Sequence, residues 1–513
     1  MRTSAPLGVT RIRPGSLALN PLKRLASQTA IYGLSSVFGR LLNYLLVPLL
    51  TYTFAPAEYG VVAELYAYMG FFAVVLLFGL ETGYFRFRSR EEWPPATVYG
   101  TVLRFLAIAN GAFLVLVLFY QGPLADLLRH PENPEYIWWC AAILALDSVG
   151  AAAFARLRAE ERAARFATIK LLEIAANVGL TLFFVYLCRH AWLADPESLL
   201  GSLWDPRIGV GYVFIANLTA SLMKLLLLVP QLRGGLGQFD PALLRALLRY
   251  SLPMVIIGFA GITNEMLDRA ALKYLLPYDP ETNMAQLGIY SACYKLSVLM
   301  ALFIQAFRYA GEPFFFSYAK ERDARATYAL VLNWFVIGCV FLFLLVTLYL
   351  DLFQYFVGAA YREGLHVVPV LLLASALLGV YVNLSIWYKL TDRTLLGAGV
   401  ALIGSAITVA LLLWSVPRWG YEGAAWAHLA CYGSMVAISY LLGRHYYPVP
   451  YEVGRVLGYL VFGVALYLGS RVLVVQLGWS APLAGTLCMA VYLAAVVLLD
   501  GRRLLRRTAP ATS

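Results

Sequence analysis

Apolar runs of about twenty residues recur along the whole sequence, and the polar stretches between them are short. As a helix, such a run crosses the roughly 30 Å hydrocarbon layer of a bilayer. A membrane strand needs only about ten residues, so the run length excludes a barrel. With 61% hydrophobic and 13% charged residues, the chain reads as an all-α polytopic membrane protein.

Fourteen spans are expected, at 27–54, 61–85, 97–121, 136–157, 167–190, 209–230, 251–276, 288–312, 326–350, 366–388, 394–416, 423–443, 454–475 and 481–500. An even number puts both ends on one side of the membrane. With the N-terminus inside, roughly 26 Lys and Arg fall in inside segments against about 5 outside, the bias that positive-inside sorting predicts. Examples are Arg86, Arg88 and Arg90, then Lys320, Arg322 and Arg325, and the closing Arg502, Arg503, Arg506 and Arg507. The net charge of +11 therefore reads as a topology signal, and no nucleic-acid partner is expected.

No connection exceeds about twenty residues, which leaves no room for a soluble domain with its own core. Zinc-protease, P-loop and nucleophile-elbow motifs are missing from the sequence. A non-enzymatic protein without a metal or cofactor is expected, since the five histidines are scattered. The six cysteines sit in or beside apolar runs and read as small buried hydrophobes.

The chain also repeats. A slide of 228 positions lays Gly60 on Gly288, Tyr66 on Tyr294 and Phe87 on Phe315; changed by one, it lays Arg40 on Arg269. Six spans separate the copies, so they share one orientation, as in parallel repeats about an axis along the membrane normal. The expected division is a tail 1–26, a six-helix lobe 27–230, a connector 231–250, a second six-helix lobe 251–443, two further helices within 444–500 and a basic tail 501–513. Two such lobes enclose a central cavity, whose usual use is alternating access.

Ionisable residues inside spans cost roughly 2.5–3.5 kcal/mol each on insertion scales, so they should face partners, water or substrate. Arg40 and Asn43 share a face of the first span with Tyr32 and Ser36. The seventh carries Asn264, Glu265, Asp268, Arg269 and Lys273; the eighth carries Gln305, Arg308 and Glu312; Asp147 adds an acid to the first lobe. Structural pairing, of Glu265 with Arg269 or of Asp268 with Arg40, stands beside substrate contact as a reading. Lys170, Lys224, Arg104 and Lys389 read as snorkelling anchors, and Glu64 and Glu81 as hydrated helix ends.

The segments Ser35-Ser36-Val37-Phe38-Gly39-Arg40, Phe54-Ala55-Pro56-Ala57-Glu58-Tyr59-Gly60, Asp268-Arg269, Gly288-Ile289-Tyr290-Ser291, Tyr294-Lys295 and Gly420-Tyr421-Glu422-Gly423-Ala424-Ala425 give the chain a family likeness. In their order among the spans it resembles the polysaccharide-biosynthesis (Wzx-type) flippases of the multidrug/oligosaccharidyl-lipid/polysaccharide (MOP) exporter superfamily. That resemblance implies movement of an undecaprenyl-diphosphate-linked oligosaccharide from the inner to the outer leaflet of a bacterial cytoplasmic membrane. Polysaccharide polymerases and glycosyltransferases would then be partners, along with membrane lipid. Arg40, Arg269 and Arg308 would clamp the diphosphate, with Asn43 and Asn264 as neutral donors. Glu265, Asp268 and Asp147 would couple transport to H+ or Na+. A lipid II flippase is the alternative within the superfamily; a drug antiporter is disfavoured by the arginines, and a membrane glycosyltransferase or polymerase by the short outside loops.

Overall fold

The computed structural model describes residues 39, 41–42, 44–90, 92–234, 239–319 and 321–501. Among them the regular elements are all helices. Numbering the long ones in chain order, the first half holds α1 (Leu46–Thr53), α2 (Pro56–Leu76), α3 (Leu80–Arg88), α4 (Pro95–Phe119), α5 (Pro134–Ala159), α6 (Ala163–Thr181) and α7 (Tyr212–Leu227). The second half holds α8 (Pro241–Leu275), α9 (Pro280–Leu296), α10 (Val298–Tyr318), α11 (Ala324–Leu348), α12 (Val368–Leu384), α13 (Thr394–Tyr446), α14 (Val453–Val475) and α15 (Ala481–Val496). Phe119, Ile108, Leu395 and Val461 are among many large apolar residues left exposed. A bilayer covers such a surface, whereas water would not.

By length and apolarity, eleven helices of the described residues can span a membrane, or twelve if α9 and α10, bent by 46°, are one span. The bend falls at Ser297, whose hydroxyl donates to the Tyr294 carbonyl at 2.7 Å, an i−3 bond of the kind that bends helices. The 53-residue α13 is in fact two antiparallel helices. Gly420, at φ 58° and ψ −139°, reverses the chain, and Ser415 Oγ then donates to the Gly423 carbonyl at 3.0 Å. Further along the hairpin, Cys431 Sγ reaches the Gly404 carbonyl at 3.5 Å, though 27 residues of straight helix would put them about 40 Å apart. The two spans expected at 394–416 and 423–443 thus lie within α13. The first expected span, 27–54, lies mostly outside the described residues, as do both tails.

α8 begins ten residues before the expected 251. Its entry is Asp240, which accepts hydrogen bonds from the Ala242 and Leu243 amides at 2.8 and 3.1 Å, followed by Pro241 at the first helical position. Arg245 and Arg249 make those first turns too polar to register as membrane span, yet the cap and the proline start the helix there.

The repeat is visible at the seam between α2 and α9. A Cβ on Gly60 would collide with the Met284 carbonyl, and one on Gly288 with the Pro56 carbonyl. Pro56 and Met284 are themselves 228 apart, as are Gly60 and Gly288. This reciprocal contact, each glycine against the counterpart of the other's neighbour, is what a two-fold relation produces. The glycines let the two backbones touch, and the halves meet around that seam.

Candidate functional site

α8 carries charge in its second half because each charge finds a partner. Asp268 is fully buried and accepts from the Tyr290 hydroxyl at 2.6 Å, His428 Nε2 at 2.8 Å, the Arg269 guanidinium at 2.7 Å and the Arg269 amide at 2.9 Å. Arg269 Nη1 also donates to the Glu265 carbonyl at 2.5 Å. The guanidinium lies over the Tyr294 ring, 4.4 Å from its centroid, which fixes it between a carboxylate and an aromatic face. α8, α9 and the second arm of α13 therefore hold Arg269 in one orientation.

The facing wall belongs to the first half. On α6, Lys170, Glu173 and Asn177 fall on one face through spacings of three and four. Glu173 is shared by Lys170 and Lys224, each at 2.8 Å, and Lys224 reaches Asp147 at 2.5 Å. Ser221 donates to the same Asp147 oxygen at 2.7 Å. Lys224 is 3% exposed, so it is the buried centre of an ion-pair network rather than a snorkelling anchor.

Between these walls lies a cavity of about 530 Å³. Three cations, Lys170, Arg269 and Lys295, and one carboxylate, Glu173, line it together with Tyr59, Tyr66, Asn177, Asn217 and Ser291. Asn217 donates to Tyr66 at 3.0 Å. Among the described residues, the buried Ser291 hydroxyl has no hydrogen-bond partner. Among the described residues, the Lys295 ammonium has neither ion pair nor hydrogen bond. A concave site with an excess of cations and unoccupied donors suits a multiply charged anion.

The expected site residues separate under this geometry. Arg269 lines the cavity. Asn264 is buried in the α8–α13 interface, its amide donating to the Ala401 carbonyl at 3.3 Å and accepting from Thr408 at 3.1 Å. Arg308 is exposed, 3.8 Å from Glu312, which in turn bonds Lys389 at 2.5 Å. Asp268 is enclosed, whereas Glu265 is exposed and Asp147 is exposed beside Lys224. Arg40 and Asn43 lie outside the described residues. Lys170, Glu173, Asn177, Asn217, Ser291 and Lys295 are among the lining residues that sequence reasoning did not put forward as site residues. The Lys170–Glu173–Asn177 stripe inside an apolar run was the signal for the first three.

A second buried cluster joins the halves. Glu64 of α2 is fully buried and accepts from Lys273 of α8 at 2.6 Å and faces His130 Nε2 at 2.8 Å. Lys273 also donates to the Leu128 carbonyl at 2.5 Å. Glu64 is therefore not a hydrated helix end, whereas Glu81 does sit in the first turn of α3, a third exposed and paired with Arg158. No cluster of metal-ligating side chains occurs among the described residues.

The arrangement matches solved transporters over nearly its whole length. A structure described as lipid II flippase MurJ, inward closed conformation, aligns with a TM-score of 0.68, 12% identity, and coverage of 91% of this chain and 98% of that one. An inward-facing multidrug resistance MATE family transporter of the MOP superfamily aligns at 0.61 and 14%, covering 82% and 95%. The chain shares the fold of these transporters. The MATE multidrug transporter DinF-BH adds a TM-score of 0.59 at 18% identity, with 85% of this chain and 98% of that one covered. At these identities, what is shared with the superfamily's solved members is the fold. Residues 49–203 match a family model described as a polysaccharide biosynthesis protein. No curated protein sequence matches the chain.

Proposed function

We propose that the protein moves a diphosphate-linked lipid oligosaccharide, such as an O-antigen, capsule or exopolysaccharide repeat unit, between the leaflets of a bacterial cytoplasmic membrane by alternating access. The observation that carries this reading is the cavity between the two halves, where the described residues set three cations against one shared carboxylate and leave Lys295 unpaired. A diphosphate has the charge and the acceptors to meet Arg269 and Lys295 together, and the glycan has hydroxyls for Asn177, Asn217 and Ser291. The lipid tail stays in the bilayer while the headgroup crosses.

The polysaccharide-biosynthesis match over 49–203 favours a glycan repeat unit over the peptidoglycan precursor lipid II. An excess of cations in the cavity argues against cationic drugs as cargo. Glu265, exposed one turn before Arg269, is the best placed of the three acids to couple H+ or Na+ to the headgroup; Asp147 is second, and Asp268 is enclosed by its partners. Arg40 and Asn43 remain candidates.

The test is leaflet protection of a labelled lipid-linked oligosaccharide in proteoliposomes. Protein-dependent transfer is expected; a rate equal to that of empty liposomes would reject the reading. Complementation of a lipid II flippase depletion strain distinguishes the peptidoglycan cargo.

A further inference from the structure

Away from the central cavity, a cleft of about 410 Å³ opens between α3 and the first turns of α8. Arg86 and Arg90 border it on one side and Arg245 and Arg249 on the other, each pair four residues apart, over a floor that includes Phe87 and Tyr250. Four arginines thus line one cleft from stretches about 160 residues apart in sequence, and like charges brought together repel.

Nearby arginines behave differently. Arg156 bonds Glu160 at 2.6 Å, Arg158 bonds Glu81, and Arg88 bonds the Tyr84 hydroxyl at 2.8 Å. Among the described residues the four cleft arginines have no ion pair and no acid lines the cleft. Aromatic rings hold two of them in place: Arg86 lies 4.1 Å from the Tyr250 centroid and Arg90 lies 5.0 Å from that of Phe87. Stacked guanidiniums keep their hydrogen-bonding edges free for a phosphate fork.

The surface below the cleft suggests where such a phosphate comes from. Spacings of four, three and four continue the Arg245–Arg249 face of α8 to Leu252 and Ile256, both large, apolar and exposed. A charged head above an uncovered apolar stripe is the profile of a lipid at the membrane surface. We propose that this cleft binds the phosphate headgroup of an anionic membrane phospholipid, with its acyl chains along Leu252 and Ile256. The site is separate from the transport cavity and does not depend on the identity of the cargo.

The test is titration of the purified full-length protein with phosphatidylglycerol and with phosphatidylcholine of the same acyl chains, bound lipid being counted by native mass spectrometry. Phosphatidylglycerol should bind at least tenfold more tightly. The double variant Arg86→Gln/Arg249→Gln should lose that preference, as should Arg90→Gln/Arg245→Gln, while Arg418→Gln keeps it. Equal affinity for the two lipids, or an unchanged preference in both double variants, would overturn the site. Inorganic pyrophosphate competing as strongly as the lipid would overturn the lipid assignment.

Discussion

Arg269 and Lys273 stand one turn apart on the same helix, both buried and both paired, yet their partners lie in different parts of the molecule. Arg269 bonds its own neighbour Asp268, which is held by Tyr290 and His428, so the unit belongs wholly to the second half. Lys273 bonds Glu64 of α2 and the Leu128 carbonyl, so its unit straddles the two halves. Under the proposed alternating access, the first unit would travel intact with its guanidinium still facing the cavity, while the second would have to break. A charge carried as part of a rigid body serves the cargo; a charge shared across the seam serves one conformation. In the alternating-access account, Lys273–Glu64 is the latch of the state seen here and Arg269 a contact that persists through the cycle.

The latch is where the contrast can be broken most severely. Lys273→Ala leaves Glu64 buried beside His130 and Tyr68 without its ammonium partner, and loss of one partner of a buried pair costs roughly 3–5 kcal/mol. The melting temperature of the purified protein should fall sharply, and Glu64→Leu/Lys273→Met should recover most of the loss, because apolar replacement of both partners is tolerated. A similar drop for the single and double variants would mean the pair is no latch. Next, Arg269→Ala should slow transfer of the lipid-linked oligosaccharide about 100-fold, a loss of roughly 2.7 kcal/mol in transition-state terms, in the proteoliposome assay. Lys295→Gln should slow it about tenfold with little change in melting temperature, since Lys295 has no partner to abandon among the described residues. Arg308→Gln, at an exposed residue that does not line the cavity, should change transfer by less than about twofold. If Arg308 matters more than Lys295, the cavity has been drawn around the wrong residues.

Much of the frame was legible because bilayer physics writes it plainly: apolar runs give helices, and the 228-residue slide pointed to the glycine seam at which the halves touch. The start of α8 was not read, because a hydropathy window discounts Arg245 and Arg249, whereas Asp240 and Pro241 were the local sign. Within the site, Arg269 was identified by its rarity in a span, but a spacing of four pointed to Glu265 as its partner, whereas the adjacent Asp268, held by His428 and Tyr290 from far off in sequence, makes the bond. Lys224 looked like a surface anchor because the depth of a lysine was judged along its own helix. It is buried instead between Glu173 of α6 and Asp147 of α5.

The central claim is that the cavity cations recognise the diphosphate. It is tested most directly by titrating the purified protein with the diphosphate-linked oligosaccharide lipid and with the same polyprenol lacking phosphate. The account predicts that the diphosphate form binds at least tenfold more tightly and that Arg269→Ala/Lys295→Gln abolishes the difference. Equal binding of the two lipids, or a preference that survives the double variant, would contradict it.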